Sequence, residues 1–424
     1  MTPPGPTTPS SPHSRATVIG RIFLPFALGY FMSYLFRTVN AVVGPVLAEE
    51  LGLSAGDLGL LTSAYFLTFA AFQLPLGILL DRYGAKHVEA TLLLFAAVGA
   101  AVFASGHSIT ALIIGRALIG LGVSACLMAA FKAFVVWYPR DRLPLANGLM
   151  TACGGLGAMA ATAPVEALLG VTDWRALFWG LAVITLAVAG LLLWAVPHHG
   201  ETGKDSRLVD QVQGMIQVLK HPLFLKLAPA CFISQAAFNG IQGLWAGPWL
   251  RDVAGLSMEG VATGLLLMTA GMIIGYALFG LIADRLRRHG VSPLVVFVIG
   301  NILFIATLGV LAAGWTGAPY ALWFVFGLLG PSGILMYAVL SQNFDSSLAG
   351  RVNTALNLLV FVFAFAWQWG IGAIIDTLPP TGAAANTGYG PEGYMWAFGG
   401  IVVIQIIAFV WMMVASRSRD AAVS

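Results

Sequence analysis

Apolar residues run through this chain in long blocks separated by short polar stretches. Twelve blocks approach the roughly 20 residues that a helix needs to cross a hydrocarbon layer of about 30 Å. They cover residues 22–47, 57–80, 87–105, 110–136, 146–169, 175–197, 223–250, 259–283, 293–314, 320–344, 351–377 and 394–416. The pattern predicts an all-α membrane protein with twelve transmembrane helices. Short connections make neighbouring helices antiparallel. The longest polar stretch, 198–222, falls near the chain centre and divides the blocks six and six. We therefore expect an N-terminal six-helix bundle over 17–197, a cytoplasmic linker over 198–222 and a C-terminal bundle over 223–416. Residues 1–16 are rich in Pro, Ser and Thr and read as a disordered cytoplasmic tail, with a short second tail at 417–424. The first apolar block is too long for a signal-peptide core and is expected to stay as a helix.

Composition fits this picture. Of 424 residues, 58% are hydrophobic and 9% charged, against about 25% charged in a soluble domain. Mean hydropathy is +0.87. A disordered chain, a nucleic-acid binder and an ordinary soluble enzyme are all excluded. The net charge of +3 matters less than its placement. With the N-terminus in the cytoplasm, sixteen of the 21 Lys and Arg, among them Arg82, Lys86, Arg142, Arg285 and Arg351, fall on the cytoplasmic side. Two, Arg175 and Arg251, fall opposite. That bias predicts an inner-membrane protein of bacterial type with both termini cytoplasmic. Arg37, Arg116 and Lys132 lie inside predicted helices.

An internal repeat supports the two halves. Gly77-Ile78-Leu79-Leu80-Asp81-Arg82 follows the second helix, and Gly280-Leu281-Ile282-Ala283-Asp284-Arg285 follows the eighth. Matching motifs at matching helices suggest a duplicated transporter fold. Gly77, Leu79, Asp81, Arg82, Gly84 and Lys86 resemble the loop signature of the major facilitator superfamily (MFS), and Arg116, Gly120 and Gly122 resemble its helix-four pattern. The resemblance implies the MFS fold, two pseudo-symmetric six-helix bundles, and a gating role for Asp81, Arg82, Asp284 and Arg285. Charge pairs there would latch the halves in the outward-open state and break as the transporter opens inward. The resemblance also implies a part in proton coupling for Arg116; the alternative is a structural pair with Glu166. Two family patterns are missing. Helix five lacks the Gly-Pro pair of drug–proton antiporters, since its proline is Pro164. Helix seven lacks the arginine of organophosphate antiporters.

Arg37 is the sharpest candidate. A charge at membrane depth costs ~2.5–3.5 kcal/mol on insertion scales and needs something to offset it. Either it binds an anionic substrate group such as a carboxylate, or it snorkels to the headgroups or a helix end. Tyr30 and Tyr34 share its face, as hydrogen-bonding or packing residues. Lys132, following Ser124 and Met128 at steps of four, is either a second cationic contact or a snorkelling lysine. Gln235, Asn239 and Gln242 form a polar stripe on helix seven, facing a wet cavity or another helix. Asn357 and Gln368 share a face of helix eleven with Phe361 and Phe365 near by. The run Gly327–Gly333 in helix ten, with Pro331, predicts an interruption.

No Asp or Glu is expected near the middle of a helix. Glu166 and Asp376, toward the outer ends of helices five and eleven, are the embedded acids on which proton coupling would rest. No metalloprotease, phosphate-cradling or serine-hydrolase motif occurs, so no enzyme activity, cofactor or metal is expected. The reading is a monomeric secondary transporter of a small organic anion, taken up by alternating access with or without a proton. The alternatives are export of an amphipathic drug or siderophore, and facilitated uniport.

Overall fold

The computed structural model describes residues 19–139, 142–197, 208–378 and 389–420. The expected tail 1–16, the first part of the linker and the last four residues lie outside the described residues. Among the described residues the chain is helical, without strands.

Helix α1 runs over Gly20–Thr38 and Asn40–Leu51, bent by 42°. The next helix, Ala55–Ser105, has 51 residues; straight, it would reach about 76 Å, more than twice the hydrocarbon thickness. It turns instead at Gly84, with φ 74° and ψ 162°, a backbone region essentially confined to glycine. The limbs before and after Gly84 are α2 and α3. There follow α4 (Ile109–Trp137), α5 (Leu145–Leu169), α6 (Trp174–Ala195), α7 (Pro222–Asp252), α8 (Met258–Arg287), α9 (Pro293–Ala312), α10 (Pro319–Gln342), α11 (Gly350–Asp376) and α12 (Pro391–Val414). These are the twelve helices of the MFS fold, with boundaries a few residues from those the hydropathy pattern predicts.

Within each bundle, glycine lets helices touch along their backbones. In α5 a Cβ on Gly157 would overlap the Phe31 carbonyl, and one on Gly154 would stand 2.5 Å from Tyr30 Cε1. Gly271 and Gly275 of α8 do the same against α10, at Phe324 O and Leu328 O. The small-xxx-small pair is therefore a helix contact.

The linker holds an element that a polar reading of 198–222 does not anticipate. Leu208–Leu219 is a helix, and the chain bends by 86° between its Val212–Leu219 part and α7. Met215 and Val218 are buried beneath it. It packs on both α2 and α11, so it spans the two bundles at the end where the described chain starts and stops. We call that end the basal face and the other the distal face.

Candidate functional site

Between the bundles lies a cavity of about 470 Å³. The N-terminal bundle lines it with Tyr30, Tyr34, Arg37, Phe69 and Ser124, and the C-terminal bundle with Gln235, Asn239, Tyr276, Tyr337 and Asn357. Gln73, Met128, Gly350, Thr354 and Asn357 also line a second space of about 570 Å³, which carries the cavity down past Asp81, Lys132 and Arg351 to the basal face.

The distal side is shut. Asp376 of α11 accepts hydrogen bonds from the N–H groups of Ala55 and Gly56, at 2.9 and 2.8 Å, at the start of α2. A Cβ on Gly247 of α7 would overlap the Ala41 carbonyl of α1, and one on Gly372 of α11 the Ala55 carbonyl of α2. Below this contact, Phe361 of α11 stacks on Phe66 and packs at a tilt against Phe69 of α2, with ring centroids 5.9 and 4.4 Å apart. Beside it, the enclosed Asp252 carboxylate takes bonds from Arg251 Nε, Tyr394 Oη and Tyr389 N, and Tyr389 Oη donates to Leu53 O of the other bundle.

Arg37 sits under that aromatic roof, 7% exposed. Its Cζ lies 4.5 Å from the Tyr34 ring centroid, 5.1 Å from Phe361 and 5.4 Å from Phe69. Its Nε is buried without a hydrogen-bond partner. Among the described residues no carboxylate pairs with it, and none lines the upper cavity. The three rings and the Tyr65 hydroxyl hold the guanidinium but leave its charge unneutralised. A broken helix furnishes polar backbone to the same cavity. The break in α4 after Gly122 leaves the Val123 and Ser124 carbonyls to Ser33 Oγ and Gln73 Nε2. In α10 the expected interruption is a tight turn at Gly330–Gly333.

The remaining candidates separate by depth. Lys132 lines the basal passage, beside Asp81 at 2.7 Å and the Leu80 carbonyl, and stands apart from Arg37. Asp284 pairs within its own helix, with Arg288 at 2.8 Å and Arg287 at 3.3 Å. Those two arginines hold its carboxyl below the usual aspartate range. Arg82 lies over the Tyr83 ring and Arg285 is exposed. In this basally open state neither signature acid thus bridges the bundles.

Gln235 and Asn239 line the cavity, but Gln242 donates to Met272 Sδ at 3.1 Å. A π-helical turn at Ile241–Trp245 rotates it off the stripe. Gln368 is buried in the distal contact, bonded to Gly240 O. It shares the face of Asn357 but stands eleven residues, about 16 Å, further along α11.

Arg116 and Glu166 do not pair. Arg116 donates to Phe36 O at 2.9 Å and lies over the Tyr65 ring. No acid is expected near the middle of a helix, and Glu89 lies near the start of α3, yet it is completely enclosed. Its place two residues into the predicted third block disguises it, because neighbouring helices cover it. Tyr276 and Tyr337 were equally hidden. Tyr337 Oη donates to Asn357 at 3.3 Å, and the signal available in sequence was only an amphipathic ring in an apolar helix.

Comparison with known proteins agrees with this architecture. The family profile of the Major Facilitator Superfamily matches residues 26–368. A probable sulfoacetate transporter of Cupriavidus necator is 26% identical over 303 residues, 66% of this chain and 70% of that one. A hexuronate transporter of Bacillus subtilis is 24% identical over 378 residues, 83% and 88% of the two chains. A tetracenomycin C resistance and export protein of Streptomyces glaucescens is 26% identical over 389 residues, 77% and 70%. Among solved structures, a bacterial homologue of the human lysosomal transporter Spinster, inward-facing and unoccupied, superposes with a TM-score of 0.75. It is 17% identical and covers 96% of this chain and 98% of that one, a likeness of fold alone. The chain belongs to the Major Facilitator Superfamily, as a multi-pass membrane transporter of small molecules and not an enzyme.

Proposed function

We propose that the protein imports a small organic anion, a carboxylate, across the inner membrane by alternating access. Its basal face is then cytoplasmic and the state described here inward-open. The observation that carries the reading is Arg37: an enclosed guanidinium facing a cavity whose upper part has no carboxylate. A substrate carboxylate supplies the missing counter-charge and matches the planar fork of donors. Gln235, Asn239 and Asn357 come from the opposite bundle. A ligand held by Arg37 and by these amides touches both halves, so its binding favours their closing around it. The names of the sulfoacetate and hexuronate relatives are consistent with an anionic cargo.

Proton coupling belongs to the same proposal. Of its candidates, Arg116 and Asp376 are engaged with backbone groups, and Glu166 stands at the outer part of α5, away from the cavity lining. A second reading, export of an amphipathic compound, is favoured by the rings of Tyr30, Tyr34, Phe69, Tyr276, Tyr337 and Phe361 and by the tetracenomycin relative.

Counterflow into proteoliposomes separates the two. Vesicles preloaded with sulfoacetate or glucuronate should accumulate the labelled anion transiently, whereas vesicles loaded with an uncharged sugar should not. Counterflow of neutral amphipathic compounds with none of the anions would refute the import reading.

A further inference from the structure

Behind the cavity wall, Glu89 of α3 is 0% exposed, and among the described residues neither carboxyl oxygen has an N–H or O–H donor; the Cys126 thiol of α4 is the group that reaches the carboxyl. The carboxyl rests on bare backbone of α1: a Cβ on Gly29 would overlap Glu89 Oε1. From α4 the ionisable group facing it is the Cys126 thiol. The α6 helix, also packed on α3, has no ionisable side chain between Arg175 and its end at Ala195. On α2 the charged groups stand at the helix ends, with Asp81 taken by Lys132 of α4. Arg37 of α1 acts on Cys126 from the cavity side and lies two turns beyond Gly29. His87 precedes Glu89 by two positions and so projects about 200° round α3.

Burying an ionised carboxylate with no counter-charge and only a weak thiol donor beside it is far costlier than burying the neutral acid. This packing therefore accommodates Glu89 with its proton on. A state in which the carboxylate ionises must bring water or a cation to it, which requires α1 or α4 to shift from their present positions. We propose that Glu89 is a proton-binding site whose occupancy is tied to the basally open conformation. Loss of the proton disfavours this conformation, and gain of the proton selects it. The inference does not depend on the substrate, and its test uses none.

Linkage sets the sign and size. One proton bound preferentially by the open state shifts the ratio of conformers by at most about tenfold per pH unit, toward open as pH falls. Spin labels on cysteines at Leu145 and His289, exposed basal positions on opposite bundles, report the opening by electron–electron resonance in nanodiscs, with Cys153→Ser to limit background labelling. Between about pH 9 and about pH 5 the long-distance population should rise in the otherwise native protein and be fixed high in Glu89→Gln. A distribution unmoved by pH, or one moving equally in Glu89→Gln, overturns the proposal. Should that variant not fold, infrared spectroscopy of the native protein supplies the second reading. A protonated-carboxyl band that exchanges slowly with deuterium and shifts in Cys126→Ala is expected. Absence of the band, or indifference to Cys126, overturns the proposal as well.

Discussion

Asp376 and Gly56 belong to opposite bundles, yet the carboxylate of one accepts the backbone N–H of the other at 2.8 Å. With the Ala55 N–H at 2.9 Å, the acid satisfies two of the free donors at the start of α2, where the helix dipole is positive. Asp376 thus fastens the distal face while the basal face stands open. Asp376→Ala leaves those donors to water. A cap of this kind is worth about 1–2 kcal/mol, so distally open states should gain roughly 5–30-fold. Spin labels at Val171 and Trp315, exposed on the distal side of the two bundles, would show a longer distance gaining population. An unchanged distribution would remove Asp376 from the latch.

Gly84 makes a more local prediction. Its φ of 74° admits few residues other than glycine. Gly84→Ala should lower thermal stability in detergent, with a cost of about 1–3 kcal/mol, while other glycines with open space around them, such as Gly180 and Gly190, should accept alanine with little change. Equal melting temperatures for Gly84→Ala and the native protein would contradict the turn described here.

The exposed Asp284 cluster should not generate the pH response assigned to Glu89. Arg288 and Arg287 hold its pKa below the usual aspartate value, so its pairing is present above the ordinary aspartate range and is lost only as pH falls through the lowered value. Between about pH 5 and about pH 9 it stays ionised, and salt screens its pairing. Asp284→Asn should therefore retain the native dependence of basal opening on pH. Loss of that dependence would move the sensor from α3 to the signature loop.

Why some of this was legible in the sequence and some was not follows from the range of each interaction. Twelve helices, the turn at Gly84 and the break at Pro331 are local or compositional, and hydropathy with glycine and proline chemistry exposes them. Arg37 was visible because a guanidinium in an apolar block demands an explanation wherever the block packs. The pairing of Lys132 with Asp81 joins residues 51 positions apart, and the place of Gln368 depends on depth rather than on face. Glu89 lies close to a predicted helix start. Only the approach of Gly29 and Cys126 from two other helices makes it a deep residue, and spacing along one helix carries no trace of that.

Tyr337 and Asn357 give a gentler test of the cavity. Their bond at 3.3 Å is long, and a neutral hydrogen bond contributes only about 0.5–1.5 kcal/mol. Tyr337→Phe should weaken apparent substrate affinity by about tenfold at most without changing basal opening. A complete loss of transport would mean that the hydroxyl does more than line the site.

The central claim is that Arg37 supplies the positive charge for an anionic substrate. Its most direct test is counterflow of labelled sulfoacetate or glucuronate in proteoliposomes containing native protein, Arg37→Lys or Arg37→Ala, with Asn301→Ala, outside the cavity lining, as a folded control. Removing a buried charged partner costs about 2–5 kcal/mol, so Arg37→Ala should lose at least about thirtyfold in rate or affinity, with Arg37→Lys intermediate because it keeps charge but not the fork. Anion counterflow at the native rate and affinity in Arg37→Ala would contradict the account.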